Sequence, residues 1–258
     1  MRLFIFLTLP ILFLACQPSS DNTSDESEKA SYTKPSHHSE SLTKVFDAHG
    51  GYEQWSKMKT LSYLKGEEYT ITNLQNRKIK LEDAERTIGF DGTNVWVAPD
   101  TAEIDRARFY HNLYFYFYAM PFVVGDPGAK YEEMTPMELE GKTCGGIKVS
   151  YGEDVGDAPD DNYIIWYDPE TFQMEWLMYT VTYRSGEPSD EYRLIKYQDW
   201  QEIGDLLLPT TLQWYQYDGE NVGDPRGNSA EFKEVKISED YPEEDLFEMP
   251  EGAVIAPR

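Results

Sequence analysis

Residues 162–179 read Asn-Tyr-Ile-Ile-Trp-Tyr-Asp-Pro-Glu-Thr-Phe-Gln-Met-Glu-Trp-Leu-Met-Tyr, and this stretch decides the fold. Its two apolar runs flank Asp168-Pro169-Glu170-Thr171, where Pro suits the first central position of a tight turn and Asp the position before it. Aromatic and β-branched residues favour strands, so the stretch predicts two antiparallel strands joined by that turn. Similar runs follow at 191–200, 208–217 and 230–237. The region 162–237 is therefore interpreted as a series of antiparallel strands.

The strand beginning at Met174 is apolar on both of its predicted faces. Alternation places Met174, Trp176 and Met178 on one face. The other face would hold Leu177, Tyr179, Val181 and Tyr183. Because both faces are apolar, both must be covered, either by helices and core or by curling of the sheet around a cavity.

The N-terminus predicts export from the cytoplasm. Arg2 precedes an apolar run from Leu3 to Leu14, which is too short for a stable membrane span but suits a signal sequence. The run ends Phe13-Leu14-Ala15-Cys16, which resembles a bacterial lipobox and implies cleavage before Cys16 and a lipid on that residue. An ordinary secretory signal with an incidental Cys is the alternative. We expect a signal peptide over 1–15 and a lipidated Cys with a disordered tether over 16–40, because this segment lacks an apolar period.

Composition and charge narrow the choice of partners. The formal net charge of the 258 residues is −24, which argues against nucleic acid and anionic membrane as electrostatic partners. The membrane is expected as a partner through the N-terminal lipid only, in an outer-membrane-anchored protein facing the periplasm or the cell surface. Asp25, Glu26 and Glu28 suit either a surface-export signal or simple solubilisation. Cys144 has no second Cys to pair with and is expected as a free, buried thiol in a monomer.

A single domain is predicted over 41–258, beginning with two helices. Ser39 or Ser41 can cap the first helix, whose apolar face is formed by Leu42, Val45, Phe46 and His49. Gly50-Gly51 would end it, and a short second helix would run from Tyr52 to about Met58. His49 is interpreted as a residue that packs or hydrogen-bonds at the helix end, with a catalytic base as the alternative.

Residues 103–122 are interpreted as a helix that is apolar on nearly all sides. The run from Phe109 to Met120 contains many aromatic residues without polar alternation, and Pro121 would limit it. Such a helix requires burial on nearly all sides. It is predicted to be a plug that completes the core or a lid over a lipid cavity.

The remaining segments predict further strands and loops. Strands are expected over 60–72 and 77–90, with a hairpin at Phe90-Asp91-Gly92, and over 131–151, with a turn at Gly141-Lys142 and Cys144 between the two strands. The acidic segment 152–161 is interpreted as a solvated loop, with Ca²⁺ binding as the alternative. The His37-His38 pair lacks a third metal ligand. Phe247 is expected to anchor the C-terminus on the sheet.

The order of these motifs resembles a known family. Ala48-His49-Gly50-Gly51 with Trp55, Phe90-Asp91-Gly92 with Trp96, the Asp168 turn and Leu208-Pro209-Thr210 resemble an uncharacterised family of envelope lipoproteins common in Bacteroidota-type bacteria. The layout is similar to the LolA/LolB type of lipoprotein carriers. The resemblance implies an α+β fold that is mainly β: a strongly curved antiparallel sheet, a half-open barrel with helices plugging its concave face, where the carriers hold acyl chains.

The sequence contains none of the usual catalytic or metal signatures. Gly-x-Ser-x-Gly, Cys-x-x-Cys, metal-spaced His and phosphate-binding glycine loops do not occur, so no catalytic residue and no cofactor is predicted. We expect a non-enzymatic protein that binds a lipid or acylated ligand, and the candidate lining residues are Trp176, Met178, Trp214, Phe115 and Tyr116. A surface binding module for a glycan or another apolar ligand, and an enzyme with dispersed carboxylates, are the alternatives.

Overall fold

In a computed structural model of the chain, the structure describes residues 38–99, 104–151, 161–183 and 187–257. The predicted signal sequence, Cys16, nearly all of the tether and the acidic segment up to residue 160 lie outside these ranges.

The helices lie in two groups, one at the start of the described chain and one in its middle. In chain order they are α1 Glu40–Ala48, α2 Tyr52–Lys57, α3 Ile104–Tyr110, α4 Leu113–Tyr118 and α5 Met120–Val123, followed near the C-terminus by a 3-10 helix, Glu244–Phe247. None of them combines the length and the apolar character that a membrane-spanning helix needs, within the ranges that the structure describes.

Strands make up most of the regular secondary structure in the described chain. The strands that precede and surround the central helices are β1 Thr60–Lys65, β2 Glu68–Asn73, β3 Ile79–Glu82, β4 Thr87–Phe90, β5 Val95–Ala98, β6 Lys130–Leu139 and β7 Lys142–Ser150. The later strands are β8 Tyr163–Tyr167, β9 Met174–Tyr179, β10 Arg193–Ile203, β11 Leu206–Tyr217, β12 Val222–Pro225, β13 Ala230–Ser238 and β14 Val254–Ile255.

All of these strands belong to one antiparallel sheet. Its order is β14-β5-β4-β3-β2-β1-β13-β11-β10-β9-β8-β7-β6, with β12 paired to β11 beside this path. The sheet is open and curled, with few helices, as the sequence predicted. The joint between β11 and β13 is short, because these strands share only the pairs Thr211↔Glu231 and Leu212↔Ala230. β13 begins at Ala230, and beyond Leu212 the same edge of β11 pairs with β12.

The curled sheet encloses the helices in its main hydrophobic core. Leu42, Val45 and Phe46 of α1 are buried there, as their helical spacing predicted. The Ser39 hydroxyl accepts a hydrogen bond from the Leu42 amide at 3.2 Å and caps the helix. At the other end, Gly50 has φ +97°, and a Cβ there would lie 2.1 Å from the Asp205 carbonyl oxygen, so this site requires glycine.

A β-bulge in β9 changes which of its side chains share a face of the sheet, so the strand does not follow the predicted alternation. Trp166 pairs with Trp176, but Tyr167 pairs with Met174, so the register shifts at Glu175. A bulge inserts one residue and reverses the side to which the residues before it point. Met174 therefore packs in the main core, whereas Trp176 and Met178 pack in a second cluster on the opposite face. The prediction that all three share one face was wrong.

The expected single helix over 103–122 is three short helices. α3 ends at Tyr110, α4 starts after Asn112, whose ψ is −1°, and α5 follows Ala119. Pro121 does not end the helical region but lies in the first turn of α5, where its missing N–H would have no intrahelical partner. The breaks let the aromatic side chains point in several directions, as a tyrosine-rich segment needs if its hydroxyls are to reach polar partners.

Two hairpins and two buried residues, Phe247 and Cys144, were also expected from the sequence. β4 and β5 form the hairpin expected at Asp91-Gly92, and Phe247 is buried beneath the sheet edge. The turn between β6 and β7 lies at Glu140-Gly141, so Cys144 is not between these strands but within β7. Cys144 is a free cysteine with no exposed surface, as expected.

Candidate ligand-binding site

A cavity of about 420 Å³ lies between the central helices and the sheet. Its volume falls in the usual range for small-molecule sites. The walls are mainly aromatic and aliphatic, and they include Tyr114, Tyr116, Phe117, Met120, Val181 and Trp214. The cavity therefore occupies the position at which the sequence predicted either a core plug or a lid over a slot.

Hydrogen bonds from the sheet fix the aromatic walls of this cavity. The Tyr197 hydroxyl of β10 donates to the Phe117 carbonyl at 2.6 Å and ties α4 to the sheet. The Trp214 indole N–H donates to the Tyr179 hydroxyl at 2.9 Å and joins β11 to β9. The rings of Phe117 and Tyr179 are in contact, with centroids 4.8 Å apart. Rings held in this way preserve the shape of an apolar cavity in the absence of a ligand.

The two carboxylates in the wall are held by neighbouring groups. Asp161 accepts hydrogen bonds from the Thr182 amide at 2.7 Å and the Thr182 hydroxyl at 2.8 Å. Asp126 pairs with the Arg77 guanidinium at 2.5 Å. Burial raises the pKa of Asp126, and the positive charge of Arg77 opposes this rise. Both carboxylates thus tie loops to the cavity wall.

Tyrosine hydroxyls provide part of the remaining polar surface of the cavity, together with the side chains of Arg108, Asn112, Thr180 and Arg193. Burial raises the pKa of Tyr151 and of Tyr163 well above the usual value, with nearby carboxylates adding to the rise. Both groups are therefore neutral at physiological pH and able to donate hydrogen bonds. Most of the wall is formed by apolar rings and neutral hydroxyls, which suits a mainly apolar ligand segment, while the positive charge of Arg193 lies at the boundary with the neighbouring cavity.

A second, larger and more open cavity of about 990 Å³ adjoins the first. It lies beside the start of β13, between the β11–β12 hairpin, residues 226–231 and the β1–β2 turn at Lys65-Gly66. Tyr114, Tyr179, Arg193 and Trp214 line both cavities. These four residues form the boundary between an apolar cavity and an open polar one.

The structure separates the residues that the sequence proposed for a single site. Tyr116 and Trp214 line the apolar cavity. Phe115 is buried in the main core beside them but is not among the lining residues, and its ring faces Tyr116 at 5.3 Å. Trp176 and Met178 lie on the opposite face of the sheet, where the ring centroids of Trp176 and Tyr215 are 5.2 Å apart. These two therefore do not share a cavity with the central helices.

His49 has the structural position that the sequence favoured. The side chain is fully buried, its Nδ1–H donates to the Val45 carbonyl at 2.7 Å, and its Nε2 accepts from the Met174 amide at 3.3 Å. Burial lowers the pKa of His49 to about 4, so the ring is neutral at physiological pH. Both ring nitrogens are occupied in joining α1 to β9.

Several cavity residues were not found by the sequence reasoning. Arg193 and Arg226 were not considered, although two basic residues near the predicted strand ends in a very acidic chain offered a signal. Val181 was assigned to the correct face by alternation but was not proposed as a site residue. No group of three or more His, Cys, Asp or Glu side chains able to hold a metal occurs in the described parts of the chain.

Comparisons with known proteins identify similar sequences and folds. The profile of a family of unknown function, DUF6503, matches residues 95–211, which span β5 to β11. No curated protein matches the chain. Among solved structures, the chain is similar to a LolA superfamily protein from Nitrosomonas europaea, with 9% identity and a TM-score of 0.47 over 74% of this chain and 87% of that one.

A second solved structure gives a similar result. A DUF1329 family protein from Desulfovibrio piger is also 9% identical, with a TM-score of 0.47 over 81% of this chain and 98% of that one. Neither structural similarity bears on the function of this chain.

Proposed function

We propose that this protein is a non-enzymatic envelope lipoprotein that binds the acyl chain of a lipid or acylated ligand in the apolar cavity. The observation that carries the proposal is the cavity of about 420 Å³ with aromatic walls beneath α3, α4 and α5. Each buried methylene contributes about 0.8 kcal/mol, so an acyl chain gains affinity from burial alone. A role in lipid or lipoprotein trafficking, in a monomer anchored to the outer membrane, is part of this proposal.

Two features of the cavity support binding over catalysis. Its carboxylates are engaged by Thr182 and Arg77, and His49 is engaged by the backbone at both ring nitrogens. The lining rings are held by hydrogen bonds that leave the cavity preformed. A preformed apolar cavity binds a flexible chain with little reorganisation of the protein.

The proposal is tested with a fluorescent fatty-acyl probe and a variant that fills the cavity. Val181 lines the cavity and is half-buried, so Val181→Trp places a large ring in the acyl path. Val222→Trp is the matched control, because Val222 is also half-buried but lines neither cavity. Only variants that melt cooperatively are compared.

We expect the wild type and the control to bind the probe saturably. The affinity of Val181→Trp for the probe should be lower by at least about tenfold. The affinity of the wild type should rise about fourfold per added methylene until the cavity is full. A delipidated wild type that binds no acyl probe would end the acyl-binding proposal and leave the cavity as imperfectly filled core. Affinity for a glycan instead would support a different binding module.

A further inference from the structure

The charged residues that line the open cavity are mainly basic, although the chain as a whole is strongly acidic. Over the whole sequence, 47 acidic residues outnumber 23 Lys and Arg. Around the open cavity, four basic side chains, Lys65, Arg193, Arg226 and Lys233, accompany one acidic side chain, Glu231. A local reversal of this kind attracts anions to one place on a surface that otherwise repels them.

Two of these cations are already neutralised by carboxylates. Lys233 pairs with Glu231 at 2.7 Å, and Lys65 pairs with the buried Glu68 at 3.3 Å. The Lys65 ammonium also lies 4.2 Å from the centre of the ring of Tyr114, a boundary residue, and this cation–π contact stabilises the ring. Because both lysines are paired with carboxylates, they are less available than the arginines to bind an anionic ligand.

Arg193 and Arg226 form no ion pair with any carboxylate in the described ranges. Both are exposed, and both line the open cavity. Their positive charges converge on the Tyr179 hydroxyl, where both oppose the rise in the pKa of Tyr179 that burial causes. Arg193 itself lines both cavities, and the Arg226 amide donates to the carbonyl of the boundary residue Trp214 at 2.8 Å, so both arginines lie at the entrance to the apolar cavity.

We propose that Arg193 and Arg226 bind the anionic head group of an amphiphile whose acyl chain occupies the apolar cavity. This inference rests on the proposed acyl-binding function. Guanidinium groups bind carboxylate and phosphate with paired hydrogen bonds, and the boundary ring of Trp214 lies where head and chain would meet. The ligand class is therefore an amphiphile whose head group carries a carboxylate or a phosphate.

The test uses three probes with the same acyl chain and different heads: a fatty acid, a monoacyl phosphate and a fatty alcohol. Their affinities for the full-length protein are measured by calorimetry at low and high salt. The variant is Arg193→Gln with Arg226→Gln, and Lys236→Gln is the control, since Lys236 is exposed on β13 but lines neither cavity.

We expect at least one anionic probe to bind about tenfold more tightly than the alcohol, because charge-assisted hydrogen bonds are stronger than neutral ones. That advantage should shrink at high salt and disappear in the double arginine variant, whereas the Lys236→Gln control should keep it. The tighter of the two anionic probes identifies a fatty acid or a phosphate-headed lipid as the source.

Two other outcomes would overturn the inference. If all three probes bind within about twofold of one another, or if the anionic advantage survives in the double variant, the head-group site is refuted while the acyl-binding proposal stands. If none of the probes binds the wild type, the acyl-binding proposal fails and the head-group inference fails with it.

Discussion

His49 shows how a residue that resembles a catalytic base is used to join two elements. Its ring links the Val45 carbonyl in α1 to the Met174 amide in β9, and its side chain has no exposed surface. The neutral tautomer that these contacts require agrees with a pKa lowered to about 4 by burial. The histidine is therefore fixed in one protonation state by its structural role.

This role predicts a specific dependence of stability on pH. Below the unfolded pKa of about 6.5, the unfolded chain binds a proton that the folded His49 does not, so the free energy of unfolding falls until the pH reaches the folded pKa. The loss attributable to His49 should approach roughly 3 kcal/mol between pH 6.5 and pH 4. Urea unfolding at pH 7 and pH 5 should show a smaller pH effect in His49→Gln than in the wild type. Equal pH effects would contradict this role.

Cys144 is predicted to be an inert thiol. The side chain is fully buried in β7, and burial, assisted by the nearby Glu175 carboxylate, raises the pKa of Cys144 to about 11. Because the thiolate is the reactive form, the native protein should react with a maleimide only very slowly, whereas the denatured protein should react at once. Labelling followed by mass spectrometry checks this, and rapid labelling of the native protein would return Cys144 to the candidates for redox or nucleophilic chemistry.

At the scale of elements, the 3-10 helix near the C-terminus is attached by an ion pair between Glu244 and Lys78 and by the buried Phe247. Phe247 is 1% exposed, and its carbonyl accepts a hydrogen bond from the Trp96 indole of β5 at 3.1 Å. Trp96 in turn fills the space above Gly89 of β4, where a Cβ would lie 2.2 Å from its ring. The C-terminal segment thus covers the edge formed by β4 and β5.

Phe247→Ala should lower the free energy of unfolding by about 3–5 kcal/mol, because it leaves a cavity beside Trp96. The neighbouring Leu246 is 36% exposed, so Leu246→Ala is a matched control and should change stability by no more than about 0.5 kcal/mol. Thermal melts of the two variants decide the matter. Similar melting temperatures for both would mean that the segment is not anchored through Phe247.

The element scale also shows where sequence reasoning succeeds. Apolar runs separated by Asp-Pro and Asp-Gly turns identified the antiparallel strands, and the Ser39 cap with Gly50 identified α1. These features are local, so they can be recognised in a sequence. The curled sheet followed from the resemblance together with the apolar character of both faces.

The same reasoning failed where a single residue changed the register. The bulge at Glu175 moved Met174 away from Trp176 and Met178, and no local signal in the sequence marks it. The breaks at Asn112 and Ala119 were missed because an aromatic run has no polar period from which to read helix ends. The basic opening depends on the pairing of β1 with β13, which places Lys65 opposite Phe232, and spacing along the chain cannot reveal such a long-range pairing.

At the scale of the whole molecule, the N-terminal lipid remains a prediction, because Cys16 lies outside the described residues. Replacing Cys16 with Ala should release the protein from membranes, since the lipid is the proposed anchor. Fractionation and labelling with radioactive palmitate check this, with Cys144→Ala as the control that should keep both properties. A Cys16→Ala protein that still labels with palmitate and stays with the membrane would exclude the lipobox interpretation.

The cavity with its aromatic walls and basic opening links the fold to a binding function. The apolar cavity lies between the sheet and the three short helices, and it adjoins the open cavity at Tyr114, Tyr179, Arg193 and Trp214. A protein organised in this way should carry its ligand through mild purification, because the acyl chain would be largely removed from water.

The most direct test is therefore native mass spectrometry of the protein purified without detergent exchange from the organism that makes it. We predict a bound species whose mass, after release, is that of an acyl-chain amphiphile, and we predict its absence from a folded Val181→Trp variant purified in the same way. A wild type that carries no such species and takes up no added acyl probe would contradict the central claim that the cavity is a lipid site.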